Sequence, residues 1–334
     1  MGLLVLDRRD MALRLDGEAA AVYEGGRRAG SVPLKLVDQL VVQGSGIVVE
    51  ASVLGRVAEQ GGMGVVLSGR YGRRVAWVLG PSHHDVTARL AQARAVTDPP
   101  QVDAWALRVV LGKLRHQHRF LCRALALRPD AHKPLHDALR RLEAALAQLD
   151  AKQATVCNPG AAALRGIEGA AAAAYFDGYG SLFPPALGFN GRNRRPPRDP
   201  VNACLSLAYT LLHAQAVQAC QCAGLDPLLG LYHRPAHGRA SLASDLIEPM
   251  RPLVDEWVWR LVRDGLVRPE DFRHEGDACL LGKSGRERFY PAYGQVRRKA
   301  ARWLRWTCAD LVRQWRRQGC ALLPEDGVPG IEDD

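Results

Sequence analysis

The sequence lacks several of the patterns by which common classes of protein are recognised. Eight cysteines are spread over 334 residues, and no two of them form a CxxC pair. A zinc ribbon and a thioredoxin-like redox site are therefore excluded, and buried thiols in a reducing compartment are the simplest interpretation. The chain has no G-x-S-x-G elbow and no P-loop, and Gly44-Ser45-Gly46 lacks the third glycine of a dinucleotide loop.

Long apolar runs and an excess of acid are also missing. No apolar run approaches the ~20 residues of a membrane span. In the first ten residues, MGLLVLDRRD, the apolar run LLVL is followed at once by four charged residues, which is no signal-peptide core. We therefore expect a soluble, cytoplasmic protein that does not bind a membrane. Lys and Arg number 45 against 35 Asp and Glu, a formal charge of +10, which favours nucleic acid as the partner.

The hydrophobic pattern divides the chain in two. Up to about residue 84, short β-branched segments such as LVVQ and MGVVLSG alternate with turn residues, interrupted by one amphipathic segment, ASVLGRVAEQGG. From residue 85 onward, apolar residues recur at spacings of three and four. The sequence therefore predicts an α+β protein, with a small β-rich domain over residues 1–84 and a larger all-α domain over residues 85–334.

A pair of carboxylates stands out in the basic chain. A helix is predicted from near Ser241, which places Asp245 and Glu248 one turn apart on one face. Two carboxylates this close repel each other, so something positive is expected between them. A divalent cation is one candidate, and an ordinary ion pair with a nearby arginine is the other. Pro249 predicts a local kink beside both acids, and His233 precedes them within reach of a turn.

A third acid lies upstream in RGIEGAAAAAYF. Glu168 lies between two glycines and is followed by a run of alanines, which is typical of a closely packed core helix. A glutamate in such small and apolar surroundings needs a partner if it is buried. A metal ion or an arginine would serve.

With these residues laid out, the sequence resembles the CRISPR-associated integrase, the endonuclease subunit of the spacer-acquisition machinery. The resemblance rests on RGIEGAAAAAYF, RRPPRDPVNACLSLAYTLL, AGLDPLLGLYH and SLASDLIEPMRPLVD, in that order. It implies that Glu168, His233 and Glu248 bind a divalent metal, and it places Asp245, at the neighbouring acidic position, in the same metal-binding set. His237 has no such counterpart. Two carboxylates and an imidazole suit Mg²⁺ or Mn²⁺.

The resemblance also implies an activity and partners. The family joins a DNA 3′ hydroxyl to a phosphodiester at a CRISPR repeat boundary, a metal-assisted transesterification that needs no covalent enzyme intermediate. Expected partners are double-stranded DNA, a second copy of the chain through the N-terminal domain, and a small ferredoxin-like adaptation subunit. The N-terminal region resembles the family only in its pattern.

Basic segments indicate where DNA would lie. The loop GRNRRPPR carries several arginines and no acid, so phosphate contact is favoured over a solvated loop. A basic amphipathic helix near the C-terminus, from Arg288 to Arg317, is likewise assigned to DNA, because Trp303 and Trp315 lie on the apolar stripe that should pack inward. The basic residues Arg297, Arg298, Arg305, Arg316 and Arg317 are predicted to lie mostly off that stripe. For Tyr209 a half-buried core position is the alternative. The predicted DNA-binding residues are Arg192, Arg194, Arg195, Arg198, Asn202, Tyr209 and Arg251.

Two other functions stay open at this point. One is a structure-selective nuclease that cuts branched DNA without integration. The other is a non-catalytic helical protein that binds nucleic acid and uses the acids structurally. Joined DNA products distinguish the first from an integrase, and metal-dependent phosphodiester chemistry excludes the second.

Overall fold

The chain begins with strands and continues with helices. The computed structural model describes residues 2–69, 74–83, 86–154, 160–193 and 196–320. The first part contains β1 Gly2–Leu6, β2 Met11–Asp16, β3 Ala19–Glu24, β4 Arg27–Pro33, β5 Val37–Gln43, β6 Val48–Val49, α1 Ala51–Glu59, β7 Met63–Ser68 and β8 Arg74–Leu79. The predicted amphipathic segment is α1, and the predicted order of strands before helices is confirmed.

The strands form two four-stranded sheets. One has the order β1-β5-β7-β8, in which β1, β5 and β7 are parallel and β8 is antiparallel to β7. The other has the order β4-β3-β2-β6. Gly25 and Gly26 connect β3 to β4 with φ values of 54° and 78°, which suits a two-residue hairpin and favours glycine at both positions. Buried apolar side chains of both sheets pack with α1, among them Leu6, Leu13 and Val53.

The second part is mostly helical. Its helices are α2 Thr87–Ala95, α3 Pro99–Leu127, α4 His132–Ala154, α5 Ala161–Gly180, α6 Pro200–Cys222, α7 Ser241–Ile247, α8 Arg251–Arg263 and α9 Lys283–Cys320. A two-stranded hairpin, β9 Phe272–Glu275 and β10 Ala278–Leu281, lies between α8 and α9. The prediction that this part is all-α is therefore corrected. Gly276, at φ 60°, permits the tight turn of the hairpin.

The alanine-rich helix α5 packs closely, as its sequence predicts. Ala171 and Ala174 are buried, and Tyr175 and Tyr179 are fully buried beside them. A Cβ atom added at Gly178 would lie only 2.6 Å from the Cβ of Ala138 on α4, so the two helices meet at a contact that only glycine permits. This packing fixes α5, and with it Glu168, against α3 and α4.

The first sheet and the helices share one core. Val41, Met63 and Val65 of the sheet belong to the same cluster of buried apolar residues as the helices. Arg297 of α9 is buried and pairs with Asp38 of β5 at 3.0 Å. The predicted boundary at residue 84 lies outside the described residues, so the division into 1–84 and 85–334 stays a prediction. Within the described ranges, none of the helices is both long enough and apolar enough to cross a membrane.

Candidate metal centre

Glu248 lies at a bend between two helices. Helix α7 ends at Ile247, a 3₁₀ turn runs over Glu248–Met250, and α8 begins at Arg251. Pro249 has no N–H to continue the helix, and its carbonyl oxygen lies 2.6 Å from Nδ1 of His116 on α3. The bend leaves Glu248 only 5% exposed.

Asp245, one turn before Glu248, is completely buried and its carboxylate accepts hydrogen bonds from five donors. Oδ2 accepts from the backbone N–H of Leu231 at 2.9 Å and of Tyr232 at 3.0 Å. The indole Nε1 of Trp105 on α3 donates to the same oxygen at 3.1 Å. Oδ1 accepts from the backbone N–H of His233 and from its ring Nδ1, both at 2.8 Å. The Asp245 carboxylate therefore holds the His233 segment in place.

The His233 ring is oriented by this carboxylate. The contact with the Asp245 carboxylate assigns a proton to Nδ1, and in the neutral ring Nε2 is then the nitrogen with the lone pair. Nε2 lies 3.9 Å from Oε1 of Glu248. A carboxylate that fixes one ring nitrogen while the other faces a second acid is the arrangement of histidine ligands in metal sites.

Glu168 reaches the same place from α5. Its Oε1 forms an ion pair with Nζ of Lys113, and its Oε2 accepts a hydrogen bond from the Tyr232 hydroxyl. Lys113 Nζ also lies 2.8 Å from Oε2 of Glu248. The ammonium of Lys113 thus lies between the two carboxylates predicted to bind metal.

The pKa values reflect this concentration of charge. Burial would raise the pKa of Glu248, but the positive charges of Arg251 and Lys113 outweigh burial and hold it well below its ordinary value. Burial would lower the pKa of Lys113, but the Coulombic attraction of Glu248 and Glu168 raises it above its ordinary value. Burial and the hydrogen bond to Glu168 raise the pKa of Tyr232, so its hydroxyl stays a donor.

A network of hydrogen bonds and a cation–π contact supports Glu248. Arg251 donates from Nε to Oε1 of Glu248 at 2.8 Å, and its guanidinium lies 4.6 Å from the centre of the Tyr209 ring. The hydroxyls of Tyr209 and Tyr175 both donate to the carboxylate of Asp255, with Tyr175 at 2.8 Å. Burial raises the pKa of Asp255 to about 6, against the lowering effect of these hydroxyls and of Arg251. Arg251, predicted to contact DNA, is thus paired with Glu248, and 21% of its side chain stays exposed.

The predicted DNA-binding loop is partly folded onto α6. Arg192 donates to Oδ1 of Asn202 at 2.6 Å and to Oγ of Ser206 at 3.1 Å, and it lies 5.4 Å from the centre of the Tyr209 ring. Asn202 is 0% exposed and Tyr209 is 8% exposed. In this structure neither Asn202 nor Tyr209 presents a surface to DNA, because both are covered by the loop and by neighbouring helices. We assign them to the support of the site.

Of the remaining arginines of the loop, only Arg198 lies within the described residues. Arg198 is exposed, so it stays a candidate for phosphate contact. Arg194 and Arg195 lie outside the described residues. His237, whose role the sequence leaves open, is exposed in the turn before α7.

The basic helix α9 has the predicted amphipathic character. Val296, Leu304 and Trp315 of its apolar stripe are buried. Trp306 is 65% exposed on the basic side. Arg297, expected mostly off the stripe, is buried because it pairs with Asp38 in the first sheet.

Glu168, Glu248 and His233 are of the residue types that bind a divalent ion. Two carboxylates and the free Nε2 of an imidazole leave positions on the ion for water and phosphate oxygens. Within the described ranges, no three His, Cys, Asp or Glu side chains converge closely enough to form a ready-made metal site. The ammonium of Lys113 lies against Glu168 and Glu248 instead, so both carboxylates are paired with a cationic side chain.

Sequence reasoning missed Lys113, Trp105 and Tyr232. Lys113 and Trp105 lie in α3, where the sequence shows only an amphipathic helix, and they approach Glu168 and Asp245 through tertiary packing. No local spacing in the sequence indicates that Lys113 and Trp105 belong to the site. For Tyr232 the position next to His233 is a signal, since a turn that directs one side chain to the site holds its neighbour nearby.

Comparison with known proteins adds independent findings. A family model described as "CRISPR associated protein Cas1" matches residues 4–295. The chain is 35% identical over 305 residues to the CRISPR-associated endonuclease Cas1 1 of Thermodesulfovibrio yellowstonii, covering 88% of this chain and 91% of that protein.

Two solved structures share the fold. A casposase bound to integration product matches with a TM-score of 0.77 at 20% identity, covering 94% of this chain and 91% of that one. A chain of a Cas6-RT-Cas1–Cas2 complex matches with a TM-score of 0.77 at 23% identity, covering 95% of this chain and 35% of that one. At these identities the likeness concerns the fold alone.

Proposed function

The chain belongs to the Cas1 family of CRISPR-associated proteins, and from this premise we propose that it is a metal-dependent DNA endonuclease and integrase. In this proposal it inserts spacer DNA into a CRISPR repeat array by attack of a DNA 3′ hydroxyl on a phosphodiester. The observation that carries the proposal is that Nζ of Lys113 contacts carboxylate oxygens of both Glu168 and Glu248, while Nε2 of His233 lies 3.9 Å from the other oxygen of Glu248.

Each residue has its own role in the proposed site. Glu168, Glu248 and His233 would hold Mg²⁺ or Mn²⁺, and Asp245 orients His233 rather than facing the centre. When bound, the ion supplies a Lewis acid that polarises the attacking hydroxyl and the phosphate. Arg251 keeps Glu248 ionised and in position. Tyr232 fixes one oxygen of Glu168, which leaves the other directed at the centre.

DNA would approach over exposed basic residues. Arg165 is exposed one helical turn before Glu168, and Arg234 and Arg239 are exposed in the segment that follows His233. With Arg198 they supply positive charge around the site, where phosphate contacts position a duplex without reading its sequence.

The partners in the proposal are double-stranded DNA, a second copy of the chain and a small ferredoxin-like adaptation subunit. The matched Cas6-RT-Cas1–Cas2 complex supports an adaptation partner, and the matched casposase bound to integration product supports an integrase.

A strand-transfer assay tests the proposal. A labelled duplex with free 3′ ends is incubated with a repeat-containing plasmid, the partner subunit and Mg²⁺ or Mn²⁺. We expect joined products from the wild type and none from Glu168→Gln, while Glu270→Gln, at an exposed acid away from the site, retains activity. Cleaved but unjoined DNA would support a structure-selective nuclease. Binding without any covalent product would support a non-catalytic nucleic-acid-binding protein.

A further inference from the structure

Lys113 is a cation built into the candidate metal centre. It comes from α3, whereas Glu168 comes from α5 and Glu248 from the turn before α8. Its side chain is 11% exposed, and Nζ contacts a carboxylate oxygen of each acid. Arg251 already pairs with the other oxygen of Glu248, so Lys113 lies on the side of that carboxylate that faces Glu168.

The ammonium of Lys113 reduces the repulsion between the carboxylates of Glu168 and Glu248. Two carboxylates held close together in a largely buried place repel strongly, because a low local dielectric leaves their charges poorly screened. The ammonium of Lys113, whose Nζ contacts an oxygen of each carboxylate, relieves that repulsion. In the absence of a divalent ion, Lys113 thus holds both carboxylates in place.

A divalent ion bound by Glu168 and Glu248 would occupy the position of the Lys113 ammonium. Such an ion binds carboxylate oxygens of Glu168 and Glu248 directly, and a positive ammonium against those oxygens opposes it by charge and by volume. A lysine can leave because its head group is a point charge on a flexible four-carbon stem.

We propose that Lys113 is a resident counter-cation, which a divalent metal ion displaces from Glu168 and Glu248, so that this lysine sets the metal affinity of the site. The proposal rests on the proposed function, since it requires the same acids to bind metal. It assigns Lys113 the role of a positioning residue, which stabilises the metal-free centre at the expense of metal affinity.

The test measures metal binding and stability rather than strand transfer. Lys113→Met removes the ammonium and keeps the apolar stem, and Lys133→Met, at an exposed lysine on α4, is the matched control. Free Mn²⁺ is counted by electron paramagnetic resonance during titration of each purified protein. We expect Lys113→Met to bind Mn²⁺ at least about tenfold more tightly than the wild type. We also expect it to melt at a lower temperature without metal and to show a larger rise in melting temperature when Mn²⁺ is added.

Two further variants keep the result interpretable. Lys113→Arg keeps the charge and should bind Mn²⁺ no more tightly than the wild type. If Lys113→Met is too unstable to purify, Lys113→Gln, which is also uncharged, takes its place. Equal or weaker Mn²⁺ binding by the uncharged variant would overturn the proposal.

Glu168→Gln separates this failure from a failure of the proposed function. If Glu168→Gln lowers Mn²⁺ affinity while Lys113→Met leaves it unchanged, the metal centre stands and only the role of Lys113 is lost. If the wild type and Glu168→Gln bind Mn²⁺ alike, the metal centre itself is wrong, and the counter-cation with it.

Discussion

Replacing Asp245 by asparagine separates a residue that orders the site from the residues proposed to bind metal. The carboxylate accepts five hydrogen bonds, three at Oδ2 and two at Oδ1. Asparagine offers one oxygen and one NH₂ group, so at least two of these donors must face another donor whichever way the amide turns. A hydrogen bond to a charged group contributes about 1.5 to 3 kcal/mol, so two lost bonds cost about 3 to 6 kcal/mol before relaxation.

Amide hydrogen exchange measures this loss where it occurs. The backbone N–H groups of Leu231, Tyr232 and His233 all donate to Asp245. Each tenfold increase in exchange corresponds to about 1.4 kcal/mol. We expect a peptide spanning residues 229–236 to exchange at least about 100-fold faster in Asp245→Asn, while Asp264→Asn, at an exposed acid, leaves this peptide unchanged.

The same variant should weaken metal binding, because His233 loses the partner that fixes its ring, and such losses are typically about 10- to 100-fold. Glu168→Gln should also weaken metal binding but leave exchange of the 229–236 peptide as in the wild type. Wild-type protection of that peptide in Asp245→Asn would refute the assignment of Asp245 as the anchor of this segment.

Three other substitutions, one of them with a matched control, test the Asp255 hydrogen bonds, the contact between α4 and α5, and the burial of His213. Tyr209→Phe removes one of two hydroxyls that satisfy the buried carboxylate of Asp255, so we expect a loss of about 1.5 to 3 kcal/mol in urea unfolding; a change below ~0.5 kcal/mol would contradict the network. Gly178→Ala places a Cβ 2.6 Å from Ala138 and should lower the melting temperature, whereas Gly166→Ala, with open space around it, should hold or raise it; equal shifts would contradict the close helix contact. Burial lowers the pKa of His213, so the unfolded chain takes up a proton before the folded one does as the pH falls below about 6.5. The wild type should therefore lose more stability between pH 7.5 and 5.5 than His213→Gln, and identical losses would show that His213 is not buried in its neutral form.

Much of the site could be predicted from sequence because its residues lie in short, distinctive segments. The spacing of Asp245 and Glu248 predicts one helical face, and Pro249 predicts the bend that the structure shows. Spacing does not say where a carboxylate points. Asp245 turns to the backbone N–H groups of the segment before His233, and that orientation depends on how a turn folds against α7.

Other features depend on contacts between distant segments. Lys113 lies 55 residues before Glu168 and 135 before Glu248, so only the packing of α3 against α5 and α8 brings them together. The predicted position of Arg297 off the apolar stripe is wrong for the same reason. Arg297 is buried because it pairs with Asp38, which lies in a strand near the other end of the chain. The β9–β10 hairpin is short, and its local pattern carries too little signal to interrupt a helical region.

The buried pairing of Arg297 with Asp38, together with the apolar residues Val41 and Val65 of the first sheet, has a consequence for the history of the molecule. A gene exchange that replaced only the strand-forming segment would leave α9 facing foreign side chains at these positions. Such a hybrid would need matching changes on both sides before it could fold. The two regions are therefore expected to tolerate substitution at these positions only in matched combinations.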